Sequence, residues 1–207
     1  MTLDDALSEC PVVAIVRGIR PEEAVAHAWA LYEAGIRAIE TPLNSPEPLD
    51  SIRRLSAEFG GRMVTGGGTV LSANRVDEVA QAGGRIIVAP NTCSEVIRRA
   101  VTLRLDPAPG FATATEAFTA LDAGARHLKL FPAVTYGPAH LKQLKAVLPA
   151  EAVVWAVGGV GADDLAIWWA AGARAFGIGG ELYRPGQSPQ ETVKKAAQVI
   201  EAVRGLA

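Results

Sequence analysis

The sequence predicts a single α/β domain, a (β/α)8 TIM barrel spanning residues 1–207. Three observations predict it. The chain is 49% hydrophobic, enough for one full core at this length. Short unbroken apolar runs, of the kind buried on both faces in parallel sheets, take turns with helical stretches. Eight such strand-helix units follow one another, and parallel strands joined by right-handed crossovers close into a barrel at that number.

Residues 12–16 form the first strand, ended by Arg17-Gly18. Pro21 opens a helix to Ala34, with Glu22 and Glu23 in the first turn, where the dipole favours acids, and Gly35 suited to the cap. Residues 37–41 form the second strand, closed by Pro42, and a helix over 47–59 follows. The third unit is a strand over 63–66 and a helix over 73–82. The fourth is a strand over 85–89, closed by Pro90-Asn91, and a helix capped by Ser94 and running to Leu103. The fifth strand, 106–109, is weak because two prolines interrupt it, and a helix over 113–123 follows. The sixth strand is 127–131, with a helix over 137–148. The seventh is 153–157, with a helix over 163–171. The eighth is 173–178, and the closing helix is 189–204.

An internal repeat supports the barrel. Glu33-Ala34-Gly35-Ile36-Arg37, Gln81-Ala82-Gly83-Gly84-Arg85, Asp122-Ala123-Gly124-Ala125-Arg126 and Ala171-Gly172-Ala173-Arg174 each stand just before an even-numbered strand. Ala-Gly is a common helix stop, but four matches at even strands fit a barrel of repeated quarters.

Composition excludes several classes. A net charge of −2 gives no electrostatic footprint for nucleic acid. No apolar run approaches the ~20 residues of a membrane span, and the acidic N-terminal ten residues lack a signal-peptide core. Cys10 and Cys93 are far apart and match no metal or redox spacing, so a reducing cytoplasm is expected. His27, His127 and His140 form no ligand pattern, and no metal is expected, with carboxylates alone left open as ligands.

Barrel chemistry sits at the C-terminal strand ends. Those positions hold Arg17, Glu40, the run from Gly66 to Thr69, Pro90, Lys129, Gly158-Gly159 and Gly179-Gly180. Lys129 lies among Leu128, Leu130 and Phe131, whereas Lys142, Lys145, Lys194 and Lys195 lie on polar helices. It is either a strand-end lysine whose head reaches solvent or a desolvated amine able to form a Schiff base. A carboxylate facing it on the second strand favours the second reading. Glu40 is a rim ion-pair group or a proton shuttle. Arg17 is a rim salt-bridge residue or a bidentate clamp for a substrate carboxylate. The glycine run before Thr69 is a flexible turn or a place where backbone approaches a ligand, with the Thr69 hydroxyl and amide on offer. The two Gly-Gly pairs, each ahead of a helical start, point to a phosphate.

The motifs Ile39-Glu40-Thr41-Pro42-Leu43-Asn44-Ser45-Pro46, Gly67-Gly68-Thr69-Val70, Leu128-Lys129-Leu130-Phe131-Pro132 and Ala156-Val157-Gly158-Gly159-Val160 together resemble the class I 2-keto-3-deoxy-6-phosphogluconate/galactonate aldolases. The resemblance spans essentially the whole chain and is closer to the phosphogalactonate branch. The gluconate enzymes read Glu-x-Thr-Leu-Arg after the second strand, and Asn44 stands at that arginine, so Arg17 would take over the carboxylate. They also tend to carry threonine where this chain has Val157, near the C4 hydroxyl. Gly180 replaces a serine common in the family.

The resemblance implies a mechanism and a substrate. Lys129 would form the Schiff base and Glu40 would move the protons. Arg17 and Thr69 would hold the carboxylate, and Phe131 and Pro90 would line the pyruvate pocket. Gly158, Gly159, Gly179 and Gly180 would hold the phosphate. The substrate would be a phosphorylated keto acid, 2-dehydro-3-deoxy-6-phosphogalactonate or its gluconate epimer, cleaved without metal or organic cofactor by a cytoplasmic homotrimer. Trp168-Trp169 offers one contact surface for that assembly, unless Trp169 simply covers a neighbouring helix. Two rival classes stay open: another phosphate-binding barrel enzyme, an isomerase or synthase with Lys129 as an electrostatic group, and a non-catalytic binding barrel.

Overall fold

In the computed structural model, which describes residues 1–206, a parallel sheet is rolled into a barrel inside a ring of helices. The strands are β1 (Val12–Ile15), β2 (Ala38–Pro42), β3 (Val64–Gly68), β4 (Ile86–Val88), β5 (Asp106–Ala108), β6 (Gly110–Phe111), β7 (His127–Leu130), β8 (Val153–Val157) and β9 (Ala175–Ile178). Their order is β5-β4-β3-β2-β1-β9-β8-β7-β6, so the two ends of the sheet are joined by Pro109. β5 and β6 are thus the two halves of the fifth barrel strand. A proline has no ladder donor, and the strand breaks where the sequence predicted weakness. The Lys129 amide still donates to the Pro109 carbonyl at 2.9 Å and keeps the barrel shut.

The helices are α1 (Leu3–Glu9), α2 (Pro21–Ala34), α3 (Pro48–Phe59), α4 (Ala73–Gln81), α5 (Ser94–Thr102), α6 (Ala114–Asp122), α7 (Ala133–Lys145), α8 (Leu165–Ala170) and α9 (Pro189–Arg204). α3, α4 and α6 are each one or two residues shorter than expected, and three others differ in how they begin or are built. Ser94 opens α5 as a helical residue, and Cys93 holds the cap position. α7 is two helical pieces joined at Gly137, whose φ of 78° breaks the ladder before Pro138 starts the second piece. α8 follows a 3-10 turn over Ala162–Asp164.

α1 is absent from the sequence reading. It is seven residues long, opened by reciprocal hydrogen bonds between Thr2 and Asp5. Leu3, Ala6 and Leu7 pack with Val13, Ala38, Val64, Ile86, Ala108, Trp155 and Ala175, which fill the barrel interior. The helix therefore plugs the N-terminal end of the barrel. A larger apolar layer lies between sheet and helices, from alternate residues such as Ala14, Ile39, Leu128, Val154 and Phe176.

The repeat is real in three dimensions. Gly35, Gly83, Gly124 and Gly172 all take φ between 86° and 113°, a left-handed turn that leads from each helix into its strand. After two of them an arginine folds back in the same way. Arg37 donates to the Tyr32 and Ile36 carbonyls over the Tyr32 ring, and Arg174 to the Trp169 and Ala173 carbonyls over the Trp169 ring. Trp168 is buried, and Trp169, half-buried, lies on Phe176 beneath that guanidinium. Among the described residues, no helix is long and apolar enough to cross a membrane.

Candidate active site

A cavity of about 1560 Å³ opens at the C-terminal mouth of the barrel. The strand period of two places its side chains. On β2, Ala38 and Glu40 share the inward face while Ile39 packs under the helices. On β7, Leu128 and Leu130 face the helices, which turns Lys129 inward. Register brings Ile15 beside Glu40 and Trp155 beside Lys129.

Lys129 is 6% exposed and Glu40 2%. The amine sits 4.6 Å from the centre of the Phe131 ring. Burial pulls the Lys129 pKa down; the Glu40 carboxylate opposes this, and the Arg17 cation adds to it. Burial raises Glu40 to about 7, against the pull of Lys129 and Arg17. Its Oε2 is buried and accepts no hydrogen bond among the described residues. One group is thus pushed toward neutral amine and the other toward neutral acid, the condition for passing protons near neutral pH.

Arg17 is exposed at the rim, and its Nη1 donates to Asn44 Oδ1. The next amide, Gly18, donates to the buried Ser45 hydroxyl at 2.9 Å. The loop after β2 therefore holds the loop after β1. On the other side, Val157, Gly158, Gly159, Gly179 and Gly180 line the wall. Gly158 and Gly159 have φ of 95° and 73°, and a Cβ on Gly159 would lie 2.7 Å from the Val134 side chain. Gly179 receives the Leu182 and Tyr183 amides in a single helical turn, and the Gly180 and Glu181 amides that open it have no acceptor among the described residues. Two cations back this turn: Arg184 Nε and Lys195 Nζ donate to the Gly180 carbonyl at 3.0 and 3.4 Å. Sequence reasoning missed them because Lys195 lies fifteen residues away on a polar helix face.

Of the residues singled out in the sequence, Arg17, Glu40, Lys129, Phe131, Val157, Gly158, Gly159, Gly179 and Gly180 line this cavity together. Thr69 and Pro90, after β3 and β4, stand outside its lining. Thr69 carries a φ of 56°, a conformation costly for a β-branched residue. Gly68, one residue earlier in the glycine run singled out in the sequence, faces the Glu40 carboxylate directly. The cavity also extends past Asp164 to Gln198 and Glu201 on α9.

Residues 3–199 match the family model described as KDPG and KHG aldolase. The chain belongs to that family. The 2-dehydro-3-deoxy-6-phosphogalactonate aldolase of Escherichia coli (strain K12) is 49% identical over 197 residues, 95% of this chain and 96% of that protein. The solved structure of native KDPGal superposes with a TM-score of 0.94 at 49% identity, covering 96% of both chains. A cube-shaped porous cage designed by fusing symmetric oligomeric domains matches at a TM-score of 0.93 and 49% identity, covering 95% of this chain and 73% of that one.

Proposed function

We propose that the protein is a class I aldolase that cleaves 2-dehydro-3-deoxy-6-phosphogalactonate reversibly into pyruvate and D-glyceraldehyde 3-phosphate. The observation that carries this reading is Lys129 and Glu40 buried in one cavity with their pKa values driven in opposite directions. Membership of the family and the name of the Escherichia coli relative support the substrate.

Neutral Lys129 Nζ attacks the C2 ketone, and loss of water gives a protonated Schiff base. Glu40 takes the C4 hydroxyl proton, through water. The C3–C4 bond breaks, its electrons pass to the iminium, and glyceraldehyde 3-phosphate leaves. Glu40 returns a proton to C3 of the enamine, and water frees pyruvate and the amine. Arg17 clamps the carboxylate; the resemblance assigns Thr69 to the same end and Pro90 to the pyruvate pocket, although both stand outside the cavity lining. Phe131 lines the pyruvate pocket, and the two glycine pairs present amides to the phosphate. Under this reading the chemistry uses no metal or organic cofactor. We place the enzyme in the cytoplasm as a homotrimer; the oligomeric domains of the matching cage support an oligomer.

Borohydride reduction in the presence of pyruvate tests the reading. A pyruvate-sized mass gain on the Lys129 peptide is expected. Its absence would leave the isomerase or synthase class standing instead.

A further inference from the structure

Beneath the cavity the barrel is filled by Trp155, the largest of the fully buried side chains. Trp155 and Lys129 are register partners on β8 and β7, so both leave the same face of the sheet. Lys129 turns into the cavity. Trp155 does not line it, and lies with Leu3, Ala38 and Val157 in the barrel interior. Its indole N–H, a donor only, donates to His127 Nδ1 at 3.2 Å. His127 is two residues before Lys129 and also points inward.

That bond fixes the tautomer. Because Nδ1 accepts, the neutral ring carries its proton on Nε2, which lies 3.3 Å from Asp4 Oδ1 on α1. Arg126 holds the other oxygen of Asp4. A second proton would have to enter at Nδ1, facing the indole N–H, donor against donor. Burial and the Arg126 cation keep the ring neutral down to about pH 4, against the pull of Asp4. Asp106 and Arg85 complete the charged groups at this end, and Glu40 and Arg17 are those facing Lys129.

We propose that His127 is a positioning residue for Lys129: its neutral ring, oriented by Asp4, holds the Trp155 indole in place as the dry floor of the pocket under the amine. The proposal rests on Lys129 being the Schiff-base lysine. A fixed apolar floor excludes water and favours the uncharged amine that the first step consumes. A loosened floor lets water reach the ammonium and stabilises it.

The test is kcat/KM for aldol cleavage against pH in the full chain and in H127L, H127Q and W155F, with pyruvate-borohydride trapping on each. No trapping at Lys129 in the parent overturns the lysine reading and this proposal with it. With trapping in place, the acid limb moves up by about one pH unit in H127L and W155F. H127Q, whose amide accepts from Trp155 and donates to Asp4, keeps the parent limb. An acid limb unmoved in W155F overturns the positioning role, whether or not H127L folds. Long-range 15N spectra of the parent give a check without any variant: the His127 proton is expected on Nε2, and a proton on Nδ1 overturns the relay.

Discussion

The Glu40 carboxylate occupies the place where Gly68 lacks a side chain: a Cβ on Gly68 would lie 1.6 Å from Glu40 Oε2. Gly66, two residues earlier on β3, is also too tight for a Cβ, but there the neighbour is backbone, with the Ile86 carbonyl oxygen at 2.1 Å. The two glycines should therefore fail differently. G68A meets the far end of a flexible side chain, so the fold survives and the carboxylate is displaced. We expect kcat/KM to fall by about 10²–10⁴, the range of a lost proton-transfer group, while pyruvate trapping at Lys129 persists. G66A should instead lower Tm, since the Ile86 backbone has nowhere to move. Equal Tm losses in the two variants would contradict this division.

Glu40 ties stability to pH. Its folded pKa, about 7, lies above the usual 4.5. Between those values the folded state binds more protons than the unfolded one, so stability falls as pH rises from 4.5 to about 7 and is level above. The full loss is about 3 kcal/mol at most. E40Q removes the titration. Urea midpoints of parent and E40Q should therefore diverge as pH rises from 5 to 8, with E40Q gaining relative to parent and its cleavage activity lost. Parallel midpoints across that range would mean that Glu40 is not held neutral by burial.

Asn44 holds Arg17 by a side-chain hydrogen bond, and Ser45 holds the neighbouring amide. R17A should raise KM for the keto acid strongly, by removing a charge-assisted bidentate contact of about 1.5–3 kcal/mol. N44A leaves the guanidinium but frees it to swing, and should raise KM about five- to tenfold, roughly the value of one hydrogen bond, with kcat nearly kept. Steady-state kinetics on the two variants check the order; an N44A effect as large as that of R17A would make Asn44 itself the contact.

The functional face was legible because barrel geometry converts sequence position into place. A polar residue closing an apolar strand has to face the mouth, and this found Arg17, Glu40, Lys129 and both glycine pairs. The same logic set α2, β8 and α9 at their observed limits. It failed where a contact depends on folding distant pieces together. α1 is too short to show a period, and only the Thr2–Asp5 spacing hints at it. The Asp4–His127 contact and the Lys195–Gly180 bond cross the chain without any sequence pattern. Trp155 reads as one more apolar residue of a buried strand until its N–H finds His127. Gly68 passes for part of a flexible turn until the carboxylate beside it is seen.

Val157 offers the sharpest test of substrate preference. It is buried in the cavity wall on β8, directly before the Gly158-Gly159 pair, and its methyls lie 2.8–2.9 Å from where a Cβ on Gly177 would stand. The side chain therefore rests on a glycine surface. Threonine has nearly the same shape, so V157T changes a methyl to a hydroxyl at one fixed place on the wall. Such a hydroxyl can donate to or accept from the sugar C4 hydroxyl in one epimer and not in the other. The parent should cleave the galactonate epimer at least as well as the gluconate epimer. V157T should move the ratio of the two kcat/KM values toward the gluconate by about tenfold, the worth of one hydrogen bond of ~1.4 kcal/mol. An assay of pyruvate release from each epimer measures the ratio. A parent that strongly prefers the gluconate epimer, or a ratio unmoved by V157T, would remove Val157 from substrate selection and return the preference to the carboxylate end.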